Sequence, residues 1–559
     1  MLNSGRRQRL LRMMGLILIC STWCTSAETA TRPHIIIFMA DDMGWNDVSF
    51  HGSDQILTPN IDRLAYDGVI LHHHYAQPLC TPSRAAFLTG RYPLHTGMQH
   101  GVILEPEPWG LPLDYKLLPQ HLNTLGYTSH AVGKWHLGYF QKQYTPTYRG
   151  FSSHYGFYNG YQDYYKHTVQ ASFTNFEGYD MRFNDTVTWE GVGRYSTDLY
   201  TERAADIITQ HNTSRPLFLY LAHLAPHAGN YDEPLQAPAD HVDRHKHIAD
   251  RERRVYAGMV SKLDESVGKV VGALSAAGML QDSILVFLSD NGAATNGLHV
   301  NHGSNWPLKG EKGTLWEGGI RTVSFVWSPL IKDNQRVYNN LFHISDWLPT
   351  LYSAAGGDVA DLGEIDGADH WLGLMSGTRL PLPRHEILHN ADEKTGLASL
   401  RVGPLKYING THLLGFLDIW SGKDTKYQIP IETYVSQVLG SDVANHLSKI
   451  QSVKNTTLTI DKIKNTRSML KVVCKNKIKN KKNKTDLCDK TPCIFNVHKD
   501  PCEQENIYIV VKDTGIVKDF ENRLQRQNRN AVKPQNKPLD IKANPDLHNH
   551  TWISWQDVM

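Results

Sequence analysis

His34-Ile35-Ile36-Ile37-Phe38-Met39-Ala40-Asp41-Asp42 is the stretch whose reading decides the fold. Its apolar run from His34 to Met39 reads as a short buried strand, and two carboxylates stand at the strand's end. Moving outward, the same arrangement recurs. A strand over Thr128–Val132 ends in Gly133-Lys134-Trp135-His136, one over Leu217–Leu221 runs into His223 and His227, and one over Ile284–Leu288 ends in Asp290-Asn291-Gly292. Helical spacing fills the gaps: Pro59–Gly68, Leu117–Leu125, Tyr200–Gln210 and a long helix over Arg251–Ala277, with Val255, Met259, Leu263, Val267, Val270 and Leu274 on one stripe. Thr322–Trp327 adds a strand and Ile344–Ala355 a helix. Strands alternating with helices predict an α/β fold whose largely parallel central sheet is flanked by helices. In such sheets ligands bind at the carboxyl ends of the strands, where all four polar groups fall.

A second stretch, Cys80-Thr81-Pro82-Ser83-Arg84 running on to Leu88-Thr89-Gly90-Arg91, carries the chemistry. Pro82 suits a first helical position, so a helix over Ser83–Leu88 would place Cys80 where unpaired N–H groups point at an anion. The plainer reading is a structural cysteine, buried or in a disulfide.

At 559 residues the chain is long enough for two or more domains. Its net charge of +2 gives no reason to expect a nucleic-acid partner. Arg6, Arg7, Arg9 and Arg12 precede an apolar run over Met13–Cys20, and Thr25-Ser26-Ala27 follow: a signal peptide over residues 1–27. The run is too short to span a bilayer, so no stable membrane anchor is expected, and the mature chain is assigned to the secretory pathway, lysosomal or secreted. Six N-x-S/T sequons, at Asn184, Asn212, Asn409, Asn455, Asn483 and Asn549, agree with that compartment. Of seven cysteines, Cys20 and Cys24 leave with the signal peptide. Cys474, Cys488, Cys493 and Cys502 could form two local disulfides of unread connectivity, which leaves Cys80 as the odd thiol in an oxidising compartment.

Beyond about residue 375 the pattern weakens. Ser399-Leu400-Arg401-Val402 and Leu405-Lys406-Tyr407-Ile408 are strand-like, and Lys471 to Lys484 is a Lys/Asn-rich run that reads as a solvated loop. The expectation is a catalytic domain over 32–375 and a smaller α+β domain over 376–559. The latter would hold an antiparallel sheet and a variable, partly disordered insertion near 421–486.

The motifs now carry a resemblance. Cys80-Thr81-Pro82-Ser83-Arg84 with Leu88-Thr89-Gly90-Arg91 resembles the sulfatase signature, and Gly133-Lys134-Trp135-His136-Leu137-Gly138 resembles that family's second signature. Asn305 to Lys312 and Trp316-Glu317-Gly318-Gly319-Ile320-Arg321 are most similar to the arylsulfatase B group, and Cys493–Asn496 with Asp500-Pro501-Cys502 is similar to the family's ending. The group's usual cysteines in the N-terminal domain are absent, so its disulfide pattern does not transfer.

The resemblance implies a sulfate-ester hydrolase with an alkaline-phosphatase-like core. It implies that a formylglycine-generating enzyme oxidises Cys80, whose Cys-x-Pro-x-Arg spacing fits that partner's recognition pattern. The hydrated aldehyde offers one hydroxyl to attack sulfur and a second whose proton loss releases sulfate. Asp41, Asp42, Asp290 and Asn291 supply oxygen ligands, which suits Ca²⁺ or Mg²⁺ rather than zinc; family precedent favours one Ca²⁺, with the residue made from Cys80 beside it. Transferred by motif, Arg84 and Lys134 hold the nucleophile and metal site, Lys312 contacts the sulfate, His136 is the base and His227 the acid. Lys309 and His223 are the competing choices for the last lysine and histidine. The implied substrate is a sulfated sugar such as N-acetylgalactosamine 4-sulfate of glycosaminoglycans. Two alternatives stand: a phosphodiesterase or phosphatase of the same superfamily, which would use Ser or Thr at the nucleophile, and a non-catalytic secreted carbohydrate-binding relative.

Overall fold

The computed structural model describes residues 32–297, 299–377, 382–421, 429–454, 457–478 and 488–558. The signal peptide and the sequons at Asn455 and Asn483 lie outside them.

The ordered elements that position the site begin with β1 (His34–Ala40), α1 (Pro59–Asp67), β2 (Val69–Leu71), α2 (Cys80–Thr89), α3 (Leu118–Thr124), β3 (Thr128–Lys134) and β4 (Ser153–Phe157). They continue with β5 (Arg182–Phe183), β6 (Thr186–Val187), α4 (Ser196–Gln210), β7 (Leu217–Ala222), α5 (Arg251–Ala276), β8 (Ser283–Ser289), β9 (Ser324–Trp327) and β10 (Arg336–Tyr338). These strands form one ten-stranded sheet in the order β10-β2-β9-β8-β1-β7-β3-β4-β5-β6. The centre, β8-β1-β7-β3-β4, is parallel throughout, and β9 enters antiparallel between β8 and β2. Ile35, Ile36 and Ile37 are fully buried, as a strand covered on both faces by helices requires. On α5, Met259, Leu263, Val267, Val270 and Leu274 face the core, and only Val255 of the expected stripe is half-buried.

Register aligns the strand ends. Met39 pairs with Leu288 on one side and Ala222 on the other, and Ala222 pairs with Gly133. The residues that follow, Asp41, Asp290, His223 and Lys134, therefore leave the sheet at one level. Gly133 has φ +97°, and a Cβ there would meet the Ala222 carbonyl oxygen at 1.9 Å, so only glycine lets β3 approach β7 at this level.

The C-terminal part holds β11 (Glu386–Asp392), β12 (Leu397–Val402), β13 (Leu405–Asn409) and, beyond three helices, β14 (Cys493–Asn496), an antiparallel sheet in chain order. The three helices correct the expected insertion. Within 421–486 the described residues form α6 (Ile431–Leu439), α7 (Asp442–Lys454) and α8 (Ile460–Leu470). Tyr434, Val435, Val438, Val443, Leu447, Ile463 and Leu470 join the main core: α6 and α7 both pack against α1, and α7 also against α5. In α7 and α8 a Lys- and Asn-containing composition hid a sparse helical spacing, whereas α6 contains neither residue and its apolar spacing was legible; residues 479–484 of the basic run lie outside the described set. The cysteines pair as Cys474–Cys502 and Cys488–Cys493, leaving Cys80 free and buried.

Candidate active site

The helix carrying the cysteine starts earlier than its proline suggests. α2 begins at Cys80 itself, with Leu79 as the extended residue before it. Pro82 is then the third helical residue, still within the turn whose N–H groups have no partner inside the helix. Helix geometry brings Arg84 round, four residues on, to the face of Cys80. Both side chains are essentially without solvent.

Around Cys80 the strand ends converge. Its Sγ lies 3.6 Å from Asp41 Oδ1 and 3.8 Å from Asp42 Oδ1. Lys134 Nζ donates to Asp41 Oδ2 at 2.7 Å, and Lys312 Nζ to Asp42 Oδ2 at 2.6 Å. Arg84 grips Asp290 Oδ2 through Nε and Nη2, at 3.1 and 2.9 Å. Asn291 Nδ2 donates to Asp42 Oδ1 at 2.6 Å. Asp42 itself has φ +60°, a left-handed turn that sends consecutive carboxylates to the same centre, and its N–H is held by Asp290 Oδ1 at 3.2 Å.

The electrostatics are those of a site built around charge. Burial pushes the Asp290 carboxyl upward and neighbouring Asp41 adds to it, against the pull of Arg84. For Arg84, burial opposes the charge, but Asp290, Tyr220 and Asp41 more than restore it. Lys312 follows the same logic, with Asp42 overcoming burial. Burial raises the Cys80 thiol well above its usual range, against Lys134 and Lys312, so the protein's own field does not make it a thiolate.

The two histidines differ in tautomer. His136 Nε2 donates to the Ile103 carbonyl at 3.0 Å, which leaves its buried Nδ1 without a partner. Burial and Lys134 keep that ring neutral, so Nδ1 is a free base. The ring fits because residue 160 is glycine: a Cβ there would stand 2.8 Å from it. His227 Nδ1 donates to Ala228 O at 2.5 Å, so its Nε2 accepts from Lys312 Nζ at 3.1 Å, with Asp42 Oδ2 at 3.4 Å. The competing residues turn elsewhere. His223 Nε2 meets Ser266 Oγ on α5 at 3.1 Å, and Lys309 Nζ sits over the Trp316 ring, 3.7 Å from its centroid.

Three carboxylates face three cations, so the cluster is neutral as it stands. Its oxygens fit a hard divalent cation: Asn291 Oδ1 is fully buried yet has no partner among the described residues, and donor atoms of Asp41, Asp42, Cys80 and His227 lie within 4.8 Å of one another. With such an ion the site becomes net positive, as an anionic substrate requires.

Sequence reasoning missed some of the scaffold. Asn301 Nδ2 donates to the Asp42 and Pro226 carbonyls, at 2.8 and 3.1 Å, and Ser83 Oγ bonds the Asp290 carbonyl. Ser83 lay inside the quoted motif. Asn301 sits in a loop without periodicity, and no sequence signal points to it.

Comparison with known proteins agrees with this geometry. A sequence profile of the sulfatase family matches residues 33–357. Mouse arylsulfatase J is 39% identical over 94% of this chain and 80% of its own length. Mouse N-acetylgalactosamine-6-sulfatase is 32% identical over 66% of this chain and 71% of its own. Among solved structures, that of Ps i-CgsB superimposes with a TM-score of 0.68 at 26% identity, over 90% of this chain and 94% of the other. The profile spans more than half the chain, and its range holds every residue of the cluster around Cys80: the chain belongs to the sulfatase family, enzymes that hydrolyse sulfate esters.

Proposed function

We propose that the enzyme desulfates sugars, with N-acetylgalactosamine 4-sulfate of glycosaminoglycans as the first candidate, through a formylglycine made from Cys80. The observation that supports it most is the unpaired thiol of Cys80, buried at the head of α2 against Asp41 and Asp42, in a chain whose other four described cysteines are paired. A formylglycine hydrate there would supply a hydroxyl nucleophile that an un-ionised thiol does not. A partner oxidase of the secretory pathway would have to install it, and the finished enzyme would be lysosomal or secreted. The disulfides fit an oxidising compartment, and no helix of the described residues is long and apolar enough to cross a membrane.

One Ca²⁺, held by Asp41, Asp42, Asp290 and Asn291 beside the modified Cys80, would supply positive charge for the sulfate oxygens and acidify the nucleophile. The chain's own residues divide the rest. Arg84 and Lys134 fix the Asp290 and Asp41 carboxylates in place. Lys312, the one cation of the cluster with a side chain measurably open to solvent (14%), meets the incoming sulfate. The Lys312–His227 pair holds a proton where an alkoxide would leave, and His136 Nδ1 takes one on the cysteine's side. The 4-sulfate preference rests on the motif likeness alone. The 32% identical mouse relative is named for the 6-sulfate, so position on the ring is the open arm of the test.

Peptide mass spectrometry of the secreted enzyme should show the Cys80 peptide unreactive to alkylation and reactive to hydrazides, and the active enzyme should carry calcium rather than zinc. A panel of 4- and 6-sulfated N-acetylgalactosamine oligosaccharides then reads the specificity. An alkylatable thiol in active enzyme would sink the aldehyde, and equal inertness of all sulfated sugars would sink the substrate class.

A further inference from the structure

A second cleft, of about 610 Å³, opens where the C-terminal sheet meets the segment between β2 and the cysteine helix. No residue of the catalytic cluster lines it, and none of its lining residues is acidic. Its floor is Arg321 and Arg401, and its sides carry Arg384, Lys471 and His498. Arg401 donates to the Gly403 carbonyl at 3.0 Å and to the Tyr75 hydroxyl, and the carboxylates beside the other two arginines are not among the lining residues. Arg321 Nη1 reaches Glu317 at 3.7 Å while its Nε is fixed by the His72 carbonyl at 3.0 Å, and Arg384 pairs with Asp346.

Three independent features mark this as a ligand site rather than a seam between domains. His72 and His73 both line it, and His72 Nε2 and His73 Nδ1 are buried with no partner among the described residues. Such donors or acceptors are costly to leave unmet. Exposed Lys471 adds a charge to a cleft that already holds Arg321 and Arg401, which costs repulsion unless an anion offsets it, and exposed His498 adds a ring nitrogen able to donate. The rim is also held in place: Val473 and Pro501 each precede a half of the Cys474–Cys502 disulfide, so the two rim segments are tied together before anything binds. Val473 (72% exposed) and Met469 (61%) add apolar surface beside the cations, the mixture a sugar ring with a charged ester presents.

We propose that this cleft is a second, non-catalytic anion site that takes a sulfate or phosphate group, with room for the sugar unit that carries it. Arginine-rich floors suit tetrahedral oxyanions because the guanidinium fork donates in pairs, and the volume lies within the range of small-molecule sites.

The test uses the full-length protein with Cys80→Ala, so that no ligand is consumed, and Lys471→Glu/His498→Glu in that background. Both altered rim residues are exposed, and circular dichroism checks the fold. Calorimetric titration uses inorganic sulfate, inorganic phosphate, a chondroitin sulfate tetrasaccharide and its desulfated form. The expected result is two classes of sulfate site in the parent and one in the rim variant, with the lost class weakened at least ~10-fold. A tetrasaccharide that outcompetes inorganic sulfate, while its desulfated form does not bind, identifies the glycan ester as the source; equal affinity identifies the free anion. Identical stoichiometry and affinity in parent and rim variant, or a single class of site in both, overturns the proposal.

Discussion

Two clusters of buried charge lie in one molecule and are finished differently. Around Cys80, three carboxylates and three cations are paired, yet Asn291 Oδ1 and His136 Nδ1 are left with nothing to bond. Between the sheets, Lys406 Nζ on β13 reaches Glu317 Oε1 at 3.1 Å and Glu503 Oε1 at 2.8 Å. Tyr75 OH donates to Glu317 Oε2 at 2.7 Å, and the Glu317 N–H to Glu503 Oε2 at 2.8 Å. Every oxygen of that second cluster is met. A closed network holds two parts of a chain together, whereas an open one of similar chemistry is waiting for a ligand.

The largest expected effect breaks the two apart by function. Cys80→Ala removes no charge and little volume, so stability should change by about 1 kcal/mol, while turnover falls at least ~10⁴-fold. Comparable residual turnover would mean that the nucleophile lies elsewhere. The next sharpens roles within the open cluster. An aryl phenolate leaves without a proton and a sugar alkoxide does not. His227→Ala should therefore slow sugar-sulfate hydrolysis ~10²–10⁴-fold more than aryl-sulfate hydrolysis. His136→Ala should depress both substrates alike, after at most a single burst of alcohol. If His227→Ala lowers kcat/KM equally for the two, the proton comes from another group.

The closed cluster should answer in stability instead. Lys406→Met leaves Glu317 and Glu503 buried without their shared ammonium, which costs ~3–5 kcal/mol. Turnover per folded molecule should stay within a few-fold of the parent. Urea unfolding beside active-site-normalised kinetics reads both numbers. A stable but inactive Lys406→Met would erase the distinction between the clusters.

The same contrast explains what the sequence disclosed. The open cluster was legible because each member follows an apolar strand or sits in a dense motif, so local pattern already places Asp41, Lys134, His227 and Asp290 at one edge. The closed cluster was invisible. Lys406 lies in a strand-like run and Glu317 in a quoted motif, but nothing in either pattern points to the other or to Glu503, and only tertiary packing joins them. The helices over 431–470 were missed for two reasons: in α7 and α8 the apolar residues, Ile463 and Leu470 among them, are sparse among Lys and Asn, while α6 carries a clear apolar face at Tyr434, Val435 and Val438 whose partners, on α1, lie far back in the chain. The rival histidine was a matter of direction. His223 and His227 leave the same strand, and only the observed turn shows that one faces α5 and the other Lys312.

A third buried group supplies the smallest effect and tests whether burial without a direct ion pair shifts stability with pH. Among the described residues Asp62 on α1 has no ion-pair partner: its oxygens accept from Thr58 Oγ1 at 2.7 Å and Tyr434 Oη at 2.5 Å. Burial pushes its carboxyl up to about 7, against those two hydroxyls and the more distant charge of Arg467. Asp264, which accepts from the Ile61 N–H at 2.8 Å, is pushed up to about 8, first by burial and further by Asp62. Both folded values exceed the ordinary carboxylate value of 3.8. The folded state therefore holds protons that the unfolded state has released. That contribution to stability is fully present below the unfolded value and is lost as pH rises through about 7 to 8. The protein should melt higher at pH 5 than at pH 8, by free energies on the order of a few kcal/mol. Asp62→Asn is the discriminating change, because either hydroxyl can turn to accept from the new amide and no partner is lost. It removes one buried charge and relieves Asp264 of its neighbour. The variant should therefore gain stability at pH 8, change little at pH 5, and show a flatter dependence between them. Thermal unfolding across that range decides it: parallel curves for parent and variant would mean that Asp62 is ionised in the folded protein at both ends, and that its hydroxyl partners outweigh its burial.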